Sequence, residues 1–162
     1  MVEVRLAKPT DAPTLAAIMV QSFRTAFREL VSEETMDQCA NLQNCTAMLA
    51  RVCEDLQFHS YLAFLDGKPC GELFWTGKDE AELIALHSLP EVWGSGVGAI
   101  LLLQAMEDMK IADVRRVTLW TFQENSRARR FYEKHGLMAN GAERISEFDG
   151  AVEVCYEKEL QP

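Results

Sequence analysis

Hydrophobic and polar positions change period several times along this chain, and each change marks an element. Residues 2–6, Val-Glu-Val-Arg-Leu, alternate as a short strand does. Thr10-Asp11-Ala12-Pro13 supplies a cap and an early proline. Leu15, Ile18, Met19, Phe23 and Phe27 then recur at helical spacing, which predicts an amphipathic helix. A second helical region follows Glu29 to Ser32, with Leu42, Cys45, Leu49, Val52 and Leu56 on one face. Residues 61–65, the pair Asp66-Gly67 and residues 70–75 read as a hairpin, because Asp-Gly suits the positive φ of a tight turn.

A turn at 77–79 leads to a strand at about 81–89, and a glycine cluster then opens a helix running toward Ala112. Its apolar residues Val97, Ile100 to Leu103, Met106 and Met109 spread over more than one face, so this helix should be largely buried. Residues 114–122 are β-branched and aromatic and read as a strand. Asn125 then caps a helix ending at His135-Gly136, and strands at about 137–145 and 152–160 are joined around Asp149-Gly150. The order is strand, two helices, three strands, helix, strand, helix, two strands. It predicts a single α/β (α+β) domain over 1–162 with a mainly antiparallel sheet.

Composition narrows the classes of function. With 162 residues, 48% apolar and 25% charged, the chain is a folded domain rather than a disordered regulator. Acids outnumber bases 25 to 16, and the net charge of −9 argues against binding nucleic acid or an anionic membrane surface. No apolar run reaches the roughly 18 residues of a membrane span, and the start lacks a signal-peptide layout. Cys39, Cys45, Cys53, Cys70 and Cys155 form an odd set without a C-x-x-C pair, the pattern of reduced thiols in a cytoplasmic protein. His59, His87 and His135 have no ligand spacing, so no metal site is expected.

The candidate chemistry lies in Leu86 to Ala99. There a strand ends, Pro90 and three glycines turn the chain, and a helix begins. The first turn of a helix carries unpaired N–H groups and favours negative charge. Gly94, Gly96 and Gly98 lack the side chains that would hold an anion away from those groups. Residues 94–99 therefore form a candidate pyrophosphate cradle, or else a tight turn needing small residues. No Lys-Ser/Thr follows, so a P-loop is excluded. Gly94-Ser95-Gly96-Val97-Gly98-Ala99 does satisfy G-x-G-x-x-A, but too little parallel sheet surrounds it for a nicotinamide or flavin site.

A second motif, Asn125-x-x-Ala128-x-x-Phe131-Tyr132-x-x-x-Gly136, follows a strand about 30 residues downstream. Together with the glycine turn and the Arg5-Leu6-Ala7-Lys8-Pro9-Thr10-Asp11-Ala12 opening, it resembles the GNAT superfamily of acyl-CoA-dependent N-acyltransferases over nearly the whole chain. The resemblance implies a mostly antiparallel sheet of six to seven strands, about four helices, and a splayed V-shaped cleft for acetyl-CoA.

It also implies roles. The backbone of Leu86 and Ser88 would face the pantetheine arm and the acyl carbonyl. Trp93, Gly94, Ser95, Gly96, Val97, Gly98 and Ala99 would form the phosphate turn, with Trp93 in place of the usual Gln or Arg and Ser95 adding a hydroxyl. Asn125 would contact the cofactor arm or cap its helix, and Ala128 would be small to let the cofactor pass. Tyr132 would act as the acid toward the departing thiolate, or else pack on the sheet. Glu82 matches a carboxylate used as general base in some branches, with Glu72, His87 or a water as alternatives.

The implied activity is acetyl transfer from acetyl-CoA to a primary amine by direct attack in a ternary complex, with no metal and with dimers frequent. The acceptor would lie between Phe27 with the Glu29 to Glu34 loop on one side and the last two strands on the other. Glu143, Glu147, Asp149 and Glu153 would favour a cationic acceptor, or else form a solvated acidic face. The alternatives are a non-catalytic acyl-CoA-binding module and, more weakly, a nicotinamide-dependent reductase.

Overall fold

The computed structural model describes residues 1–161. Its elements are β1 (Val2–Leu6), α1 (Ala12–Ala26), α2 (Glu33–Cys39), α3 (Leu42–Glu54), β2 (Phe58–Leu65), β3 (Lys68–Gly77), β4 (Glu80–Ser88), α4 (Val97–Ile111), β5 (Arg116–Phe122), α5 (Ser126–Lys134), β6 (Met138–Ile145) and β7 (Val152–Glu159). One seven-stranded sheet has the order β1-β2-β3-β4-β5-β7-β6, and only β4 and β5 run parallel. Among the described residues no helix is long and apolar enough to cross a membrane.

Helices cover both faces of the sheet. On one face α4 buries Val97, Leu101, Leu102, Met106 and Met109 against Tyr61, Leu73, Trp75 and Leu83, and α5 adds Tyr132. On the other, Leu15, Ile18 and Met19 of α1 and Cys45, Leu49 and Val52 of α3 cover Leu62 and Phe74. The absence of one apolar stripe on α4 thus reflects its near-complete enclosure. At the predicted hairpin, Asp66 and Gly67 take φ of 50° and 78°, as a two-residue loop requires.

The second helical region is two helices, because each half carries its own cap. The Ser32 hydroxyl accepts from Thr35 N–H at 3.1 Å, and the Asn41 side chain accepts from Asn44 N–H at 2.9 Å. The expected face over 42–56 fails at both ends. Leu42 is exposed on the first turn, and Leu56 lies past the helix end, 96% exposed.

Two features of the sheet create the site. First, the β3–β4 register slips by one residue between Phe74 and Trp75, which face Ala85 and Leu83, so Ile84 is left as an extra, bulged residue. Second, β4 pairs with β5 only from Glu80 to Glu82, against Arg116 to Thr118. Beyond Glu82 the two strands separate into a V.

Candidate active site

The V opens into a cavity of about 370 Å³. Its walls are Leu83 to Ser88 of β4, Leu119 to Phe122 of β5, the C-terminal half of α1, the turn at Val92 to Gly94, and α5.

The ladder phase decides which groups face the gap. Leu89 N–H donates to the Cys70 carbonyl at 2.8 Å. In an antiparallel ladder, hydrogen-bonded and outward-facing pairs alternate. Ala85 and His87 therefore bond to β3, while Leu86 and Ser88 turn their N–H and C=O groups to the open edge. The Ser88 carbonyl accepts from the Trp93 indole N–H at 3.0 Å. The remaining outward amide groups of Leu86 and Ser88 are free to bond an extended, amide-containing chain.

At the mouth, among the described residues, the backbone N–H groups of Gly94, Gly96, Val97, Gly98 and Ala99 make no hydrogen bond. The turn that presents them is held by Trp93 N–H on the Pro90 carbonyl at 3.2 Å and by Ser95 N–H on the Val92 carbonyl at 3.1 Å. The Ser95 hydroxyl also bonds Val92 O, at 2.5 Å, so Ser95 closes the turn instead of pointing a donor outward. Gly94 and Gly96 sit at φ of 81° and 94°, which L side chains disfavour, and a Cβ on either would project into open space. Gly98 is different: its φ is helical, and a Cβ there would meet the Phe131 ring at an ordinary 3.6 Å. The cradle thus rests on left-handed backbone at 94 and 96 more than on smallness at 98.

Trp93 takes a structural part that the resemblance left open. Besides its bond to Ser88, its ring carries the Arg127 guanidinium 3.5 Å from its centroid. The indole ties the end of β4 to the turn and holds a cation beside the cradle, a stacking worth about 0.5–2 kcal/mol. Arg127 is separated from Trp93 by 34 positions, so only the α5–turn juxtaposition reveals the pair.

On α5, the Asn125 side-chain oxygen accepts from Ala128 N–H at 3.2 Å. Asn125 is therefore the cap, and its side-chain NH2 is left for the cavity that it and Ala128 both line. Tyr132 also lines the cavity, is 8% exposed, and among the described residues its hydroxyl has no hydrogen-bond partner. Burial pushes this phenol up to about 12, with Arg127 pulling slightly the other way, so it stays a neutral donor.

The base candidates separate clearly. Glu82 is the last residue paired with β5 and lies outside the cavity walls. It stands five residues before His87, roughly 16 Å along an extended strand. Glu72 is 1% exposed, under α1 and α3, and among the described residues neither of its carboxyl oxygens has a partner. Desolvation pushes its carboxyl well above the usual carboxylate range, and it lies outside the cavity. His87 does line the cavity, with Nδ1 3.5 Å from the Ser22 hydroxyl of α1. Burial lowers it to about 4, so it is neutral at physiological pH.

The inner end of the cavity is aromatic. Phe23 and Phe27 pack edge to face at 4.4 Å, Phe27 with Phe122 at 5.0 Å and Phe23 with Phe148 at 6.0 Å. Of the acids read from sequence, only Glu153 reaches it. Asp149 instead accepts hydrogen bonds from the Ser32 N–H and the Thr35 hydroxyl, clamping the β6–β7 loop to the start of α2. The Glu29 to Glu34 loop does not line the cavity, although Phe27 does.

A splayed parallel pair, an unpaired strand edge and a helix N-terminus with free amides form a cleft whose donors suit an extended acyl carrier with a diphosphate. Comparison with known proteins agrees. The family model for the acetyltransferase (GNAT) family matches residues 16–137. The chain shares 31% identity over 134 residues with an uncharacterised N-acetyltransferase of Mycobacterium bovis, covering 82% of this chain and 86% of that protein. A probable N-acetyltransferase of Mycobacterium tuberculosis is 24% identical over 145 residues, covering 86% and 82%. The PaiA N-acetyltransferase of Thermoplasma acidophilum, solved with coenzyme A, has the same fold at TM-score 0.82 and 22% identity, covering 98% of this chain and 99% of that one. The chain belongs to the GNAT acetyltransferase family.

Proposed function

We propose that this acetyltransferase moves an acetyl group from acetyl-CoA to a primary amine by direct attack in a ternary complex. The observation that carries the reading is the set of N–H groups of Gly94 and of Gly96 to Ala99, unpaired among the described residues, at the mouth of a cleft lined by Tyr132. These residues fit coenzyme A. The N–H groups and Arg127 would take the phosphates, the outward edge at Leu86 and Ser88 the pantetheine amides, and the Asn125 side-chain NH2 the arm beyond. The thioester supplies an activated acetyl group.

Each residue's part follows from its state. With a pKa near 12 against about 8.5 for an ordinary thiol, complete proton transfer from Tyr132 to sulfur is uphill by about 5 kcal/mol. Tyr132 therefore stabilises the leaving sulfur chiefly as a hydrogen-bond donor. An alkyl ammonium with a pKa near 10.4 is about one part in a thousand neutral at pH 7.4, a selection cost of roughly 4 kcal/mol. In the tautomer that places Nδ1–H toward the Ser22 hydroxyl, His87 would present Nε2 as an acceptor that orients the neutral amine. At about 4 it is too weak a base to store the proton, which leaves through water.

The test is thiol release from acetyl-CoA across a panel of amines, with isothermal titration of CoA alongside. Amine-dependent turnover, reduced by Tyr132→Phe without loss of CoA affinity, supports the reading. Tight CoA binding with no turnover for any amine favours the non-catalytic module instead.

A further inference from the structure

The acceptor end of the cleft carries information about its ligand that the family does not. With acetyl transfer to a primary amine, as proposed above, taken as the reaction, the geometry points to an acceptor that is a small monoamine bearing one apolar, ring-sized group, an arylalkylamine. Its ring would lie against Phe23, Phe27, Phe122 and Phe148, and its nitrogen toward His87 and the outward edge of β4. Three observations carry this.

First, this end of the cavity is lined by four phenylalanines and Trp120, contributed by α1, β5 and the β6–β7 loop. Their edge-to-face packing leaves ring faces and edges as the surface offered to a ligand. Second, the charge that a polycation would need is missing. Among the described residues Glu153 is the only carboxylate lining the cavity. It is 14% exposed and already bonded to Arg144 at 2.5 Å. That guanidinium in turn lies 4.4 Å from the centroid of the Trp120 ring. A second or third ammonium, as in a polyamine or an aminoglycoside, would be desolvated here without a partner. Third, the wall is fixed rather than open: Asp149 bonds the loop carrying Phe148 to Ser32 and Thr35 at the start of α2. The balance is that of N-acetylation. The amine nitrogen forms a bond to the acetyl carbon as the carbon–sulfur bond breaks; of the two protons the ammonium sheds, one goes to water before attack and the other is taken up by the departing thiolate.

The experiment compares 2-phenylethylamine, n-propylamine, spermidine and a peptide with an N-terminal phenylalanine. It measures thiol release and, independently, calorimetric binding to the protein saturated with CoA. Phenylethylamine should exceed propylamine and spermidine by roughly tenfold to a hundredfold in kcat/KM, the range expected for burying one ring. Phe148→Ala and the gentler Phe148→Leu should collapse the phenylethylamine-to-propylamine ratio toward one while CoA affinity stays unchanged. If no amine turns over but phenylethylamine still binds, and binding is lost in Phe148→Ala, the subsite stands and the catalytic reading fails. Preference for spermidine or for the peptide, or failure of phenylethylamine either to bind or to react, overturns the inference.

Discussion

In the proposed mechanism His87 links the chemistry of the cleft to the stability of the fold, and replacing it with glutamine tests both. In the unfolded chain a histidine titrates near 6.5. In the folded protein burial lowers His87 to about 4. Between those values the unfolded state binds a proton that the folded state refuses, so stability falls as pH falls. The contribution is fully present above about pH 6.5 and is lost toward pH 4, at about 1.4 kcal/mol per pH unit, roughly 3 kcal/mol across the window. His87→Gln keeps a polar group near Ser22 but cannot titrate. Urea unfolding of both proteins at pH 7.5, 6.5, 5.5 and 4.5 should show wild type losing about 2–3 kcal/mol relative to the variant between the extremes. Other titrating groups cancel in that difference. Glu72 faces His87 across the β3–β4 ladder, so the comparison is repeated with Glu72→Gln in both proteins. A difference that stays flat from pH 7.5 to 4.5 would refute the assignment of His87 as a neutral imidazole in the cavity wall, and with it the role proposed for Nε2.

Three further outcomes are expected. Tyr132→Phe should lower kcat about a hundredfold while calorimetric affinity for CoA changes less than threefold, because in the proposed mechanism the hydroxyl acts on the leaving sulfur and not on the phosphates. Gly96→Ala should destabilise the protein by about 1–2 kcal/mol in thermal unfolding and weaken CoA binding about tenfold, since its φ of 94° is strained for any L side chain. Gly98→Ala should do neither; equal effects at 96 and 98 would remove the argument from backbone handedness. Glu72→Gln should match wild type near pH 4 and exceed it increasingly as pH rises. A carboxyl whose folded pKa is raised loses stability above its unfolded value, by about 1.4 kcal/mol per unit until it ionises in the fold, and a pH-independent difference would sink this reading.

Much of the architecture was legible because its signals are local. The alternation of 2–6, the Asp66-Gly67 pair, the glycines before α4 and the Asn125 cap each act within a few residues, and all of them appear in the structure where their chemistry places them. Sequence and structure part where a local pattern continues through a break. Leu42 to Leu56 keeps helical spacing, yet the caps at Ser32 and Asn41 divide the region and leave Leu56 in solvent.

The site itself is a different matter. Glu82 and His87 both lie on the strand before the glycine turn, and nothing in their spacing distinguishes them. The bulge at Ile84 and the parting of β4 from β5 after Glu82 put His87 in the cleft and leave Glu82 behind. Likewise Phe23, Trp120 and Phe148 look like three unrelated core residues until α1, β5 and the β6–β7 loop converge. The chain by itself determined the elements, the turn with its free amides and the family, because propensity, capping and positive φ depend on near neighbours. Which side chains share the cavity, which acids reach it and which histidine lines it depended on register and strand separation. Those are set by packing between segments many tens of residues apart.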